Sequence, residues 1–271
     1  MEHKLPKCTI HYEVFGEGRP ILVLHGGYLD HCHMVDALEP LFIDRQGWKR
    51  IYIDIPGHGK SLVDPSISTH EEVLELILVF MSEILPGQSY AVAGESRGGY
   101  LARGIVSRKP DLIDGALFIV PGRYAVCAED SAPPHVTLTR ADELAATLAQ
   151  NEVGRFNMLV VQSAGILEKI RRCKIPATAL ADEDHQNKIN ENYEFVFDVD
   201  VPQEPFEKPV LFLLGRQDSM VGFRDAFRAI ECFPRATFAI LDKAGHSLSW
   251  EQPVLFHALA SEWLQRVGEV E

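Results

Sequence analysis

A chain of 271 residues, 46% of them apolar and 24% charged, has enough core-forming material for one full hydrophobic core, or one core plus a small accessory domain, and too little polar excess for disorder. Its 39 acidic against 26 basic residues leave a formal net charge of -13. That surface repels phosphate backbones and anionic lipid, which sets aside nucleic acid and membranes as partners.

The N-terminal residues 1–7 have no apolar stretch of the kind a secretory leader needs, and the longest apolar run, residues 76–81, is too short to cross a bilayer. The five cysteines, Cys8, Cys32, Cys127, Cys173 and Cys232, are widely spaced and contain no Cys-x-x-Cys pair. They read as free thiols in a reducing cytoplasm rather than as a disulfide framework or a zinc site.

In chain order, apolar segments of strand length alternate with amphipathic segments of helix length. Residues 8–15 alternate and predict an early edge strand. Residues 20–24 and 50–55 are continuous apolar runs of the kind a buried parallel sheet uses, ending in His25-Gly26-Gly27 and Pro56-Gly57-His58-Gly59. Capping-box spacing at Ser68-Thr69-His70-Glu71-Glu72 opens a helix to about residue 85. A strand over 90–93, a helix over 97–107 and a strand over 113–120 follow.

Residues 123–207 then break this rhythm with helical patterns at 141–151 and 157–172, a polar stretch at 185–193 and a weak strand at 195–201. Alternation resumes with a strand over 210–214, a helix over 222–231, a strand over 237–241 and a closing helix over 253–267. The prediction is an α/β fold: a doubly wound, mainly parallel sheet, with residues 1–122 and 208–271 as the core and 123–207 as a helical cap.

Gly94-Glu95-Ser96-Arg97-Gly98 lies where a strand gives way to a helix. Glycines on both sides let the two approach, the turn lifts the Ser96 hydroxyl above the sheet, and the helix N-terminus favours a developing oxyanion. By chance alone such a pattern occurs in about one chain of this length in ten, so its partners carry the argument.

His25-Gly26-Gly27 can aim a backbone N–H at an attacked carbonyl, Gly27 supplying one oxyanion donor and the Arg97 N–H the other, with Tyr28 the alternative to Gly27. Asp218, just past a buried strand, can orient an imidazole, and His246, past the last strand, can take the Ser96 proton. The chain order Ser96, Asp218, His246 is the order used by sheets of this kind.

These motifs resemble the α/β-hydrolase superfamily over nearly the whole chain, as do Asp54-x-x-Gly57-His58-Gly59-Lys60-Ser61 and the Glu251-Gln252-Pro253 that follows His246. The resemblance implies Ser96 as nucleophile, His246 as general base and acid, Asp218 as orienting acid, Gly27 and Arg97 as oxyanion hole, and a cap inserted after the sixth strand. Carbon–carbon hydrolases of that superfamily usually have Asn and Met where Glu95 and Arg97 stand, and dehalogenases and epoxide hydrolases have Asp in place of Ser96. Proline iminopeptidases usually carry a Pro soon after His-Gly-Gly, where Tyr28 stands here.

Tyr28, His31, His33, Arg123 and Tyr124 are candidate pocket residues. Leu144, Leu148, Met158, Leu159, Ile166 and Ile170 are helix-spaced in the cap, mostly as core with some roofing the pocket. His31-Cys32-His33 does not read as a metal site, since chain neighbours point apart. The expectation is a serine esterase acting on a small acyl substrate without cofactor or metal, a homodimer being left open. The alternatives are carbon–carbon hydrolysis, acyl transfer or lyase chemistry on the same triad, and a ligand-binding receptor on a hydrolase fold.

Overall fold

The computed structural model describes residues 1–122, 132–199 and 204–270. Nine strands form one sheet: β1 (Glu2–Leu5), β2 (Cys8–Phe15), β3 (Arg19–Leu24), β4 (Trp48–Ile53), β5 (Leu62–Val63), β6 (Tyr90–Glu95), β7 (Ile113–Ile119), β8 (Val210–Gly215) and β9 (Ala236–Leu241). Their order is β1-β2-β4-β3-β6-β7-β8-β9, with β5 paired to β2. From β4 to β9 every pairing is parallel, whereas β2 runs antiparallel to β1, β4 and β5.

The predicted edge strand 8–15 is therefore not at the edge. β1 covers it, a four-residue strand with a single buried side chain, Leu5, too short and too charged to show an alternating pattern.

The core strands feed both faces of the sheet, as period-two geometry requires. Leu22, Leu24, Val92, Phe118 and Phe212 pack on one side with α2 (His70–Ile84) and α3 (Arg97–Arg108). Ile21, Val23, Ala91, Leu117 and Leu211 pack on the other with α1 (His31–Leu38) and the C-terminal helix (Pro253–Gly268). Helix α2 opens with the expected capping box: the Thr69 hydroxyl accepts from the Glu72 N–H, and the Glu72 carboxylate accepts from the Thr69 N–H.

Between β7 and β8 the described residues are mostly helical, but more broken than the periodicity predicts. In place of one helix over 141–151 stand α4 (Asp142–Ala145) and α5 (Gln150–Asn157), the second begun where Glu152 accepts from the Ala149 N–H. In place of a helix over 157–172, an extended stretch bridges Thr139 to Val161. Ser163 then caps α6 (Ala164–Lys169), a π-turn follows at Ile170–Lys174, and α7 (Ile175–Leu180) and α8 (Glu183–Glu191) complete the run.

Residues 195–199 form no strand, and 222–231 contribute only a 3-10 helix, Asp225–Cys232. Phe156, Leu159, Ile166, Leu167 and Ile170 make a small separate core against Trp250. Leu144 and Leu148 pack beside it, while Met158 faces outward. Among the described residues no helix is long and apolar enough to cross a membrane.

Candidate active site

The site lies at the carboxyl ends of the central strands, where an open parallel sheet leaves a crevice. β6 turns into α3 at Ser96, whose φ of 53° and ψ of -115° are strained for a residue with a side chain. A side chain at Gly94 would overlap the Gly98 carbonyl, and one at Gly98 the Leu24 carbonyl. Both glycines are therefore required by close backbone approach. The strained turn is pinned by Ser96 N–H donating to Ile119 O at 3.0 Å and by Ser96 O accepting from Gly122 N–H at 2.8 Å.

The turns after β8 and β9 supply the other two groups. Asp218 is fully buried, and its Oδ1 accepts from the N–H groups of Met220 (2.9 Å) and Val221 (3.1 Å). Its Oδ2 lies 2.9 Å from His246 Nδ1, and His246 Nε2 lies 2.9 Å from Ser96 Oγ. Gln217 fastens the two turns together, its N–H donating to Ala244 O at 2.9 Å. Burial opposes a charge on His246, but Asp218, with Glu95 behind it, wins and raises its pKa above the ordinary value. The arrangement can pass a proton from a serine hydroxyl to an imidazole whose cationic form a buried carboxylate stabilises.

The structure brings together Ser96, Asp218 and His246, 122 and 150 residues apart from Ser96 in the chain (218 − 96 and 246 − 96). Gly26 and Gly27 flank them: a methyl carbon at Gly26 would stand 3.4 Å from Ser96 Cβ, and one at Gly27 3.3 Å from Arg97 Nε. Tyr28 is half-buried with a positive φ of 59°, and its hydroxyl accepts from Asn190 of α8 at 3.1 Å.

His31 turns away from this group. Its N–H and Nδ1 lie 2.9 and 2.7 Å from Asp54 Oδ1, and its Nε2 lies 3.4 Å from Glu13. The side-chain partner of His31, expected as a pocket residue, is thus the buried Asp54 carboxylate. Arg123 and Tyr124 lie outside the described residues.

His31 also stands with His11 and Glu13, and with Asp30 and Cys32, in groups whose potential ligand atoms lie within 4.8 Å of one another. Strand neighbours point apart, but positions 11 and 13 share one face of β2 and meet the start of α1, a proximity that local spacing does not reveal.

Three features were not read from the sequence. The Glu95 carboxylate, enclosed just before Ser96, lies 2.7 Å from His33 Nε2. Burial pushes Glu95 up, yet His33 and nearby cations more than offset it. Glu251 accepts from Val160 N–H and Gly245 N–H, each at 2.6 Å, tying the helical segment to the His246 turn. The Arg97 side chain is buried against α8. The available signal was the pair of charges inside the elbow motif, since the positions beside the serine are walled in by sheet and helix and any charge there needs a partner.

An α/β sheet with a strained serine turn and a serine–histidine–aspartate hydrogen-bond chain defines a class of protein, the hydrolases built on such sheets. The chain belongs to the α/β hydrolase fold family, whose model matches residues 19–253. It is 24% identical over 275 residues to a 2-hydroxy-6-oxononadienedioate/2-hydroxy-6-oxononatrienedioate hydrolase of Paraburkholderia phymatum, covering 95% of this chain and 91% of the relative. It is 25% identical over 270 residues to a pimeloyl-[acyl-carrier protein] methyl ester esterase of Shewanella woodyi, covering 95% and 98%. An α/β superfamily hydrolase from Oenococcus oeni shares the fold with a TM-score of 0.87 at 24% identity, over 99% of this chain and all of the other.

Proposed function

We propose that this hydrolase is a serine enzyme that cleaves a small acyl substrate, most simply a carboxylic ester, through an acyl-enzyme. The observation that carries the reading is the continuous hydrogen-bond chain from Ser96 Oγ through His246 to Asp218, at 2.9 Å on each side. Ser96 Oγ attacks the carbonyl carbon while His246 Nε2 takes its proton, and the tetrahedral oxyanion is held by the N–H groups of Gly27 and Arg97. His246 returns the proton to the departing alcohol. A water that loses a proton to His246 then attacks the acyl-enzyme, and collapse releases the acid and restores Ser96. Residues 1–122 and 208–271 form the core in this reading, and 123–207 the cap that shapes the pocket.

The test is a time course with p-nitrophenyl acetate and butyrate at equal concentrations of wild type and Ser96→Ala. Repeated turnover by wild type and a loss of at least about 10⁴-fold in the variant support the proposal. Equal inactivity of two folded proteins would sink ester hydrolysis.

Carbon–carbon hydrolysis is the second reading, favoured by the Paraburkholderia phymatum relative. Glu95 and Arg97 beside the serine weigh against it.

A further inference from the structure

The Arg97 guanidinium is about 95% buried, directly after the proposed nucleophile. Among the described residues no carboxylate forms an ion pair with it, and burial pushes its pKa down, against a smaller opposing effect of the phenols of Tyr193 and Tyr28. Its hydrogen-bond partners are neutral: Gln186 Oε1 and, at 2.7 Å, Asn190 Oδ1, one turn apart on α8, together with Tyr193. Among the described residues its Nε–H has no hydrogen-bond partner.

Burying an uncompensated guanidinium costs several kcal/mol, and arginine does not escape the cost by losing its proton. Holding α8 in place explains where the side chain sits. It does not explain the charge, since two amide oxygens accept equally well from a neutral amide.

The void on the side of His58, His185 and Gln186 has no room for a water molecule, so neutralisation from that side is closed. The guanidinium also lies against Gly27, where a methyl carbon would stand 3.3 Å from Nε and 3.4 Å from the guanidinium carbon. The guanidinium carbon lies 5.9 Å from the Tyr28 ring and 5.8 Å from the Tyr193 ring. A methyl carbon at Gly122 would stand 3.2 Å from both the Tyr193 hydroxyl and Ser96 O. The cation thus packs on the Gly26-Gly27 turn, where a methyl carbon at Gly26 would stand 3.4 Å from Ser96 Cβ.

We infer that Arg97 anchors an anion subsite, and that the natural substrate carries a carboxylate in addition to the bond being cleaved. A carboxylate suits the charge count, one monoanion for one cation, and a guanidinium edge meets its two oxygens side by side. The missing counter-charge then arrives with the substrate, so that binding energy from a remote group is available to position the scissile carbonyl. The inference rests on the serine-hydrolase reading for the identity of the reaction, though not for the binding.

Two measurements test it. Wild type, Arg97→Met and Arg97→Lys are compared on monomethyl esters of succinate to pimelate, on acetyl esters of hydroxy acids, and on uncharged esters of matched length. The ratio of kcat/KM for charged over uncharged substrate is read within each protein, with melting temperature as a check on folding. Wild type is expected to prefer the charged member of at least one series by about tenfold or more, Arg97→Met to lose that preference, and Arg97→Lys to keep part of it.

Binding of the free dicarboxylates to Ser96→Ala, with and without Arg97→Met, is measured by calorimetry and needs no turnover. Binding that weakens about tenfold or more without the guanidinium supports the subsite. No charged preference in wild type, an unchanged ratio in Arg97→Met, or no dicarboxylate binding to Ser96→Ala overturns it. If no ester is turned over in a Ser96-dependent way, the hydrolase mechanism falls while the calorimetry still decides the subsite.

Discussion

Around Ser96, two carboxylates act on one imidazole from different positions. Asp218 touches His246 and sets its orientation, whereas Glu95 raises its pKa from behind the nucleophile. Asp218→Asn is expected to lower kcat by about 10⁴-fold, because the amide stabilises neither the required tautomer nor the cation. Glu95→Gln is expected to be milder in rate and to show in the pH profile. In the proposed mechanism His246 acts as base when neutral, so kcat/KM is expected to fall as pH drops through its pKa. Removing the Glu95 charge lowers that pKa and moves the acid limb to lower pH; an acid limb that stays in place would exclude Glu95 as a positioning residue.

Ser96, Asp218 and His246 are legible as candidates one by one because each sits in a recognisable local setting, a glycine-flanked turn or a loop after a strand. The place of His31 after His25-Gly26-Gly27 suggests the pocket, while its side-chain partner, Asp54, comes 23 residues later on a neighbouring strand end.

Among the elements, those with strong local signals formed where expected. α2 has its capping box, α3 its glycine-tight start, and β6, β7 and β8 their apolar runs. The helical segment before β8 is more broken than its apolar spacing predicts, since that spacing does not show the interruption over 158–163, where backbone groups find partners in Thr139 and Glu251 instead of a helix.

Glu251 is the key to that packing. Glu251→Ala leaves the Val160 and Gly245 N–H groups buried without an acceptor and is expected to cost about 2–4 kcal/mol in denaturant unfolding. Glu251→Gln, which keeps one oxygen, is expected to cost less. A neutral alanine variant would show that the two turns are held by other contacts. The same segment is tied to α1 through Asp36, which accepts from Lys169 at 2.7 Å and also pairs with Arg172, so its loosening is expected to reach the far side of the sheet.

On the scale of the whole molecule, the start of α1 is joined to the strand edge by the Asp54–His31 pair, which sets a pH window for stability. Burial pushes Asp54 up, but His31 and His25 hold it down at about 2 instead of 3.8. Burial pulls His31 down, but Asp54 and Cys32 hold it up at about 10 instead of 6.5. The Asp54 contribution is complete above its unfolded pKa and is lost as pH falls through about 2; that of His31 is complete below its unfolded pKa and is lost as pH rises through about 10. Unfolding free energy is therefore expected to peak near pH 4–6.5 as far as this pair is concerned and to decline on both sides. Asp54→Asn should flatten that profile, and a variant profile as steep as wild type would assign the pH dependence to other groups.

Composition, strand runs and the order of Ser96, Asp218 and His246 determined the fold class and the candidate catalytic residues, because these depend on local backbone preference and on chain order, both written along one dimension. Only the tertiary structure decided which charges meet. His33 behind Glu95, Glu251 beneath Val160, and Arg97 against α8 are contacts between segments 62, 91 and 93 residues apart. Their energies depend on burial and on distances of about 3 Å, which no spacing along the chain encodes.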